Sequence, residues 1–202
     1  MDLTLIIIIV TAVISVWCFN DRRIFDLLSL VPYRTTHQKE WWRVITHGFV
    51  HADYMHLIIN MLVFYSFGAA VEGIFGTYTA SHSLHFSTLY FGGMVVASIS
   101  SVVKYRNNYN YCSVGASGAV AAVLFAYVFF LPWNKLLIMG IIPVPGIIFA
   151  FIYLIYSMYM SKRGGDNINH DAHFYGAAFG FLYPLLIDPS LARVFFYNLL
   201  HP

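Results

Sequence analysis

Of the 202 residues, 59% are hydrophobic and only 10% are charged, against about 25% charged in a soluble domain. So much apolar surface excludes an ordinary water-soluble fold, and the chain reads as an all-α membrane protein whose solvent is lipid. A net charge of +2 without a basic cluster argues against nucleic acid as a partner, and Cys18 and Cys112 form neither a CxxC pair nor a disulfide framework.

Lipid obliges each spanning segment to satisfy its own backbone, so the spans are expected to be helices of about 20 residues. The first apolar run, Leu3–Phe19, lacks a basic leader, and Trp17-Cys18-Phe19 is a poor cleavage site, so a retained first span is expected. The long connection Asn20–Asp53 carries Trp41-Trp42-Arg43, where tryptophan suits the membrane interface and arginine can snorkel to it. Met55–Val71 is the second span, with Glu72 at its end expected to pin a loop. Leu84–Val103 and Val114–Leu131 follow as the third and fourth. In Leu136–Met160 the stretch "IIPVPG" interrupts the run, because Pro143 and Pro145 remove donors and restrict their neighbours. A membrane-surface segment up to Gly146 and a helix over about Ile147–Met160 are predicted there. Ala172–Ile187 brings the expected count to six spans in a single domain over residues 1–202.

Polar side chains inside such spans are costly and ask for a reason. In "HGFVHADYMHLIINML", His56 and Asn60 are four apart and share a helix face. Ser117 opens the fourth run between Gly115-Ala116 and Gly118. In "HDAHFYGAAFG", His173, Gly176 and Gly180 share a face, and the two glycines form a GxxxG pair that admits a neighbouring backbone. Gly118 and Ala122 offer the complementary small surface. If the two surfaces meet, His173 arrives beside Ser117.

That pairing has a chemistry. A serine hydroxyl becomes a nucleophile when an adjacent base takes its proton, and histidine does so near neutral pH. The oxyanion that forms needs donors, which a helix N-terminus supplies at Ser117 and to which the side chains of His56 and Asn60 could add. Asp171 lies two residues from His173 and off its face, which favours a Ser–His dyad over a triad. The bland reading of each feature is a helix cap at Ser117, packing at His173 and helix association at the GxxxG pair. His37, His82, His85 and His201 are read as interfacial.

Taken together, these residues resemble the rhomboid family of intramembrane serine proteases. "WWRVITHGFVHADYMHLIIN" is similar to the family's WR pair and HxxxHxxxxHxxxN, "GAAVEGIFG" contains its glutamate, "GASG" matches GxSG and "AHFYGAAFG" matches AHxxGxxxG. The resemblance covers about Trp41 to Gly180, within a family core of about 41–188, and order and spacing agree throughout. It implies a six-transmembrane-helix bundle with a long first loop in the membrane interface, a short fourth helix, and a serine below the membrane surface in a water-filled cavity. It implies Ser117 as nucleophile, His173 as base, and His56, Asn60 and the Ser117 amide as the oxyanion hole. Trp42, Arg43, Glu72, Gly115, Gly118, Gly176 and Gly180 take structural roles, and no cofactor or metal is implied. The "GIIPVPG" segment also resembles the loop before the fifth helix of many members. Substrates would be single-span membrane proteins with a helix weakened by Gly, Pro or polar residues. One departure stands out: some members carry an aromatic four residues after the serine, stacked on the histidine, and here that residue is Ala121. His173 must then be oriented otherwise, with Tyr175 or a loop as the candidates.

The resemblance also implies an integral, multi-pass protein of an inner or plasma membrane, with cytoplasmic termini and an extracytoplasmic active site. That topology leaves only Lys135 and Arg193 of the basic residues considered inside, whereas the positive-inside rule would choose the reverse. The family topology is preferred, because several outside charges belong to the interfacial loop. Three rivals are weighed. A metalloenzyme would use His47, His51 and His56 with His170 or His173, but there is no HExxH and no acidic residue placed as its base. A transporter would be expected to show inverted repeats, which are not found. A non-catalytic, client-binding rhomboid relative would typically lack the serine or the histidine.

Overall fold

A computed structural model describes residues 2–138, 140–163 and 168–202. The chain is mostly helical: α1 (Leu3–Asn20), α2 (Arg22–Leu28), α3 (Pro32–His37), α4 (Arg43–Thr46), α5 (Tyr54–Tyr78), α6 (His82–Lys104), α7 (Ser117–Phe130), α8 (Gly146–Arg163), α9 (His170–Ile187) and α10 (Leu191–Leu200). Among the described residues, α1, α5 and α6 are long and apolar enough to cross a membrane. Their outward side chains are apolar too, with Val13, Met55 and Leu84 each about two-thirds exposed. Such a surface belongs in lipid, not water.

The helix α7 is the centre around which the others pack. Every residue in it except Ser117 and Tyr127 is buried, as expected of a helix that is apolar on all sides. α9, α6 and α5 surround it. Small residues set how closely they approach: a side chain on Gly176 would stand 2.9 Å from the carbonyl carbon of Gly118, and one on Gly180 would stand 2.5 Å from that of Ala122. Both are closer than real Cβ contacts, so α9 rests backbone-to-backbone on α7.

Several sequence expectations are refined by the structure. The long connection Asn20–Asp53 is not plain loop but holds α2, α3, α4 and a single 3-10 turn at His47–Phe49. Arg43 does not snorkel. It is 1% exposed, donates to the carbonyls of Asp26 and Ser29 at 2.7 Å, and pairs with Glu40. Trp41 and Trp42 do face outward. Glu72 lies inside α5, which runs on to Tyr78, and pins a helix instead of a loop. Its carboxylate accepts from the amides of Leu3 and Thr4 at 3.1 and 3.3 Å and from the Thr4 hydroxyl, capping α1. The fold is also not purely α. The proline-broken segment is a two-stranded antiparallel hairpin, β1 (Lys135–Ile138) with β2 (Ile142–Pro145), pairing Leu137 with Pro143. Among the described residues no further strand flanks the hairpin, and such edge strands tolerate prolines that a central strand would not. α8 follows at once, slightly longer at both ends than predicted. α10, which lies beyond the last predicted span, begins at the Asp188–Ser190 turn. Cys18 is buried and Cys112 exposed, and both are free thiols.

Candidate active site

The serine side of the site is built by a turn. Gly115 has φ +116, in the left-handed region that only glycine adopts freely. A Cβ there would also lie 2.7 Å from the imidazole of His56. Conformation and space therefore both require glycine. The turn delivers Ser117 to the first position of α7, where the leading amides have no intrahelical acceptor. The loop is fastened from outside: the Gly115 amide donates to the His47 carbonyl at 3.0 Å, and Ser113 exchanges two backbone bonds with Leu30.

The histidine side is built by α9. Asn169 caps it, accepting from the Ala172 amide at 3.1 Å and donating to Ser101 Oγ at 2.7 Å and Ser113 Oγ at 3.4 Å. One turn into the helix, His173 Nε2 stands 2.7 Å from Ser117 Oγ. Gly176 lies on the same face against Gly118, so the GxxxG contact and the Ser–His contact belong to one packed seam. Asp171 is engaged elsewhere. It pairs with Lys104 at 2.8 Å and accepts from Ser161.

His56 and Asn60 occupy adjacent turns of α5 and line the same cavity as Ser117 and His173, a space of about 840 Å³. The Ala52 amide approaches His56 Nδ1 at 3.5 Å. An amide hydrogen directed at Nδ1 requires a lone pair there, which puts the proton of the neutral ring on Nε2; the Cε1–Nε2 edge lies beside Gly115. Asn60 donates its side-chain amide to the His56 carbonyl at 2.9 Å; one N–H of that group is therefore occupied by its own helix.

The other two histidines of the motif are structural. His47 Nδ1 lies 3.0 Å from the Arg43 carbonyl, and its Nε2 approaches Ser98 Oγ at 3.3 Å. His51 is fully buried and bridges α1 to the serine loop. Ser15 Oγ donates to the Phe49 carbonyl at 2.8 Å, so His51 Nδ1, 2.9 Å from the same oxygen, must be the donor of that pair. Its Nε2 is then free to accept from the Ala116 amide at 3.5 Å. Burial pushes His47 down to about 4 and His51 down to about 3, with His56 adding to the effect on His51. Both rings are neutral at physiological pH. Tyr175, a sequence candidate for orienting His173, faces outward at 46% exposure, with its ring edge-on to Phe174. Tyr153 of α8, which the sequence did not single out, presents its ring to His173 instead.

A family model for the rhomboid domain matches residues 38–190. The chain belongs to the rhomboid family. It is 30% identical over 147 residues to YdcA of Bacillus subtilis, named as a candidate rhomboid protease, covering 73% of this chain and 67% of that one. It is 31% identical over 144 residues to the rhomboid protease GluP of the same species, covering 71% of this chain but 25% of the longer relative. It is 35% identical over 108 residues to the rhomboid protease GlpG of Haemophilus influenzae, covering 52% and 50%. The match to YdcA thus takes in two-thirds of that relative, and those to GluP and GlpG half or less.

Proposed function

We propose that this rhomboid is an intramembrane serine endopeptidase that cuts single-span membrane proteins within or beside their transmembrane helix. The observation that carries the reading is the 2.7 Å approach of Ser117 Oγ to His173 Nε2 at the amide end of a buried helix. In the proposed reaction His173 Nε2 takes the hydroxyl proton as Oγ attacks the scissile carbonyl carbon. The oxyanion is received by the Ser117 amide with the His56 and Asn60 side chains. His173 then protonates the leaving amine, and a water activated by the same base hydrolyses the acyl-enzyme, returning Ser117 to its free form.

The whole chain is read as one rhomboid domain with six spans, α1, α5, α6, α7, α8 and α9, and with the α2–α4 connection in the interface. At 1.5 Å per residue, α7 is about 21 Å long, against a hydrocarbon core of about 30 Å. A helix that short cannot reach both surfaces, which supports a serine below the membrane surface, reached by water through the polar-lined cavity. The orientation proposed is cytoplasmic termini and an extracytoplasmic cavity mouth. No cofactor or metal enters the mechanism.

The test is labelling of the purified protein with a fluorophosphonate, beside incubation with single-span substrates whose helices contain Gly, Pro or polar residues. Wild type should label and cleave, and Ser117→Ala and His173→Ala should do neither while folding normally. Cleavage surviving in Ser117→Ala, or inhibition by EDTA, would overturn the reading.

A further inference from the structure

At Ala121, one turn beyond Ser117, α7 carries only a methyl group. Ala121 is 5% exposed and belongs to an apolar cluster that includes Phe125 from α7, Ala177 from α9, and Phe149 and Tyr153 from α8. Tyr153 is the member of this cluster that reaches the base. Its ring lies 6.4 Å from that of His173, centroid to centroid, with the planes only 22° apart. Phe149 and Phe125 each hold Tyr153 at 5.5 Å. Among the described residues, a second ring beside the base, His170, meets it at 6.1 Å and 75°, an edge contact.

We infer that Tyr153 is the positioning residue for His173: an aromatic face supplied by the neighbouring helix α8 fixes the plane of the imidazole. The inference rests on the protease reading and deepens it. A histidine ring rotates about its last side-chain bond in a broad well, yet Nε2 must stay aimed at Ser117 Oγ. A parallel ring on one side narrows that rotation, whereas an edge contact constrains it less. At 6.4 Å between centroids and 22° between planes, the two rings form an offset pair within the range of about 4.5–7 Å for aromatic contacts. Tyr153 is assigned to orientation, and the pH midpoint of labelling separates that role from an effect on the charge His173 acquires.

The experiment compares wild type, Ser117→Ala, Tyr153→Phe, Tyr153→Met and Tyr153→Leu, scoring fluorophosphonate labelling, kcat, KM and melting temperature. Tyr153→Phe keeps the face and should stay within about twofold of wild type. Tyr153→Leu and Tyr153→Met should lower kcat on the order of 10- to 100-fold, since small misplacements of a catalytic group cost that much. KM should be nearly unchanged and the pH midpoint of labelling should not move. Tyr153→Met, unbranched and close in size, serves if Tyr153→Leu melts early. Adding Ala121→Phe to Tyr153→Leu, which returns an aromatic ring to the same cluster, should recover part of the rate. Wild-type kcat in a folded Tyr153→Met or Tyr153→Leu overturns the inference, as does a Tyr153→Phe loss equal to that of Tyr153→Leu. A wild type that fails to label at Ser117 defeats the protease reading itself, which keeps the two failures apart.

Discussion

Replacing Gly176 with alanine adds one methyl group where α9 lies on α7. The new carbon would stand 2.9 Å from the carbonyl carbon of Gly118 and 3.1 Å from its Cα, with the carbonyl oxygen closer still. Ordinary contact begins at 3.4 Å, and backbone atoms have no rotamer by which to yield. Restoring contact distance requires the two helices to part locally by about 1 Å. That displacement falls one turn from His173, where it would stretch a 2.7 Å Ser–His contact past hydrogen-bond range. A misplacement of about 1 Å costs on the order of 100-fold in rate. Overpacking costs about 1–3 kcal/mol, but alanine returns about 1 kcal/mol of helix propensity, so melting should move little and activity much. Gly73 is the control, since a Cβ there meets nothing within 4 Å. Cleavage rate and melting temperature are measured for both variants. Gly73→Ala should cleave normally, and Gly176→Ala should lose about two orders of magnitude while remaining folded. A Gly176→Ala variant as fast as wild type would refute the claim that this backbone contact sets the Ser117–His173 contact.

Asn60→Ala should keep weak activity, since losing one oxyanion donor costs roughly 100- to 1,000-fold; loss as complete as in His173→Ala, in a folded protein, would contradict the separate roles of base and donor. Glu72→Ala removes the acceptor of the Leu3 and Thr4 amides, and at about 0.5–2 kcal/mol for a lost cap it should lower the melting temperature while cleavage at low temperature persists; unchanged melting would mean the cap contributes nothing. His47 and His51 are held neutral by burial, at about 4 and about 3. Below their ordinary 6.5 the unfolded chain therefore binds protons that the folded chain refuses. Stability should be full above pH 6.5 and fall as pH drops toward 4 for His47 and toward 3 for His51, by about 2 kcal/mol per histidine at pH 5; detergent-solubilised protein melting identically at pH 5 and 7.5 would refute this.

What the sequence made legible was what repeats along one helix. His173, Gly176 and Gly180 sit at spacings of 3 and 4, and a period of 3.6 residues is enough to put them on one face before any fold is known. His56 and Asn60 were readable for the same reason. Tyr153 was not, because which face of α8 meets α9 is decided by packing between helices, and one tyrosine among Tyr153, Tyr156 and Tyr159 carries no mark of it. Nor did the sign of Arg43 reveal its burial. Arginine can reach outward to water or inward to carbonyls, and only the positions of Asp26, Ser29 and Glu40 decide. Pro143 and Pro145 announced a break but not the pairing across it, since a hairpin is defined by register rather than by the residues that interrupt a helix.

The buried arginine explains why so much polar machinery surrounds a two-residue site. Ser29, whose carbonyl Arg43 holds, precedes Leu30, which bonds both ways to Ser113. His47, one turn after Arg43, accepts from Gly115, and His51, four further on, receives the Ala116 amide. The loop is thus tied at residues 113, 115 and 116, immediately before Ser117, to a connection that Arg43 organises. Only glycine suits position 115, with its φ of +116 and the His56 ring against it. Ser117, carried on a turn fixed this way, can meet His173 only if His173 is fixed as well, which α9 achieves through glycine contacts below His173 and the Asn169 cap above it. The two halves share Ser113, bonded to Leu30 on one side and approached by Asn169 at 3.4 Å on the other. Ser117 and His173 are therefore positioned against a common point in the loop, and a disturbance at either end of that network should reach the 2.7 Å contact between them.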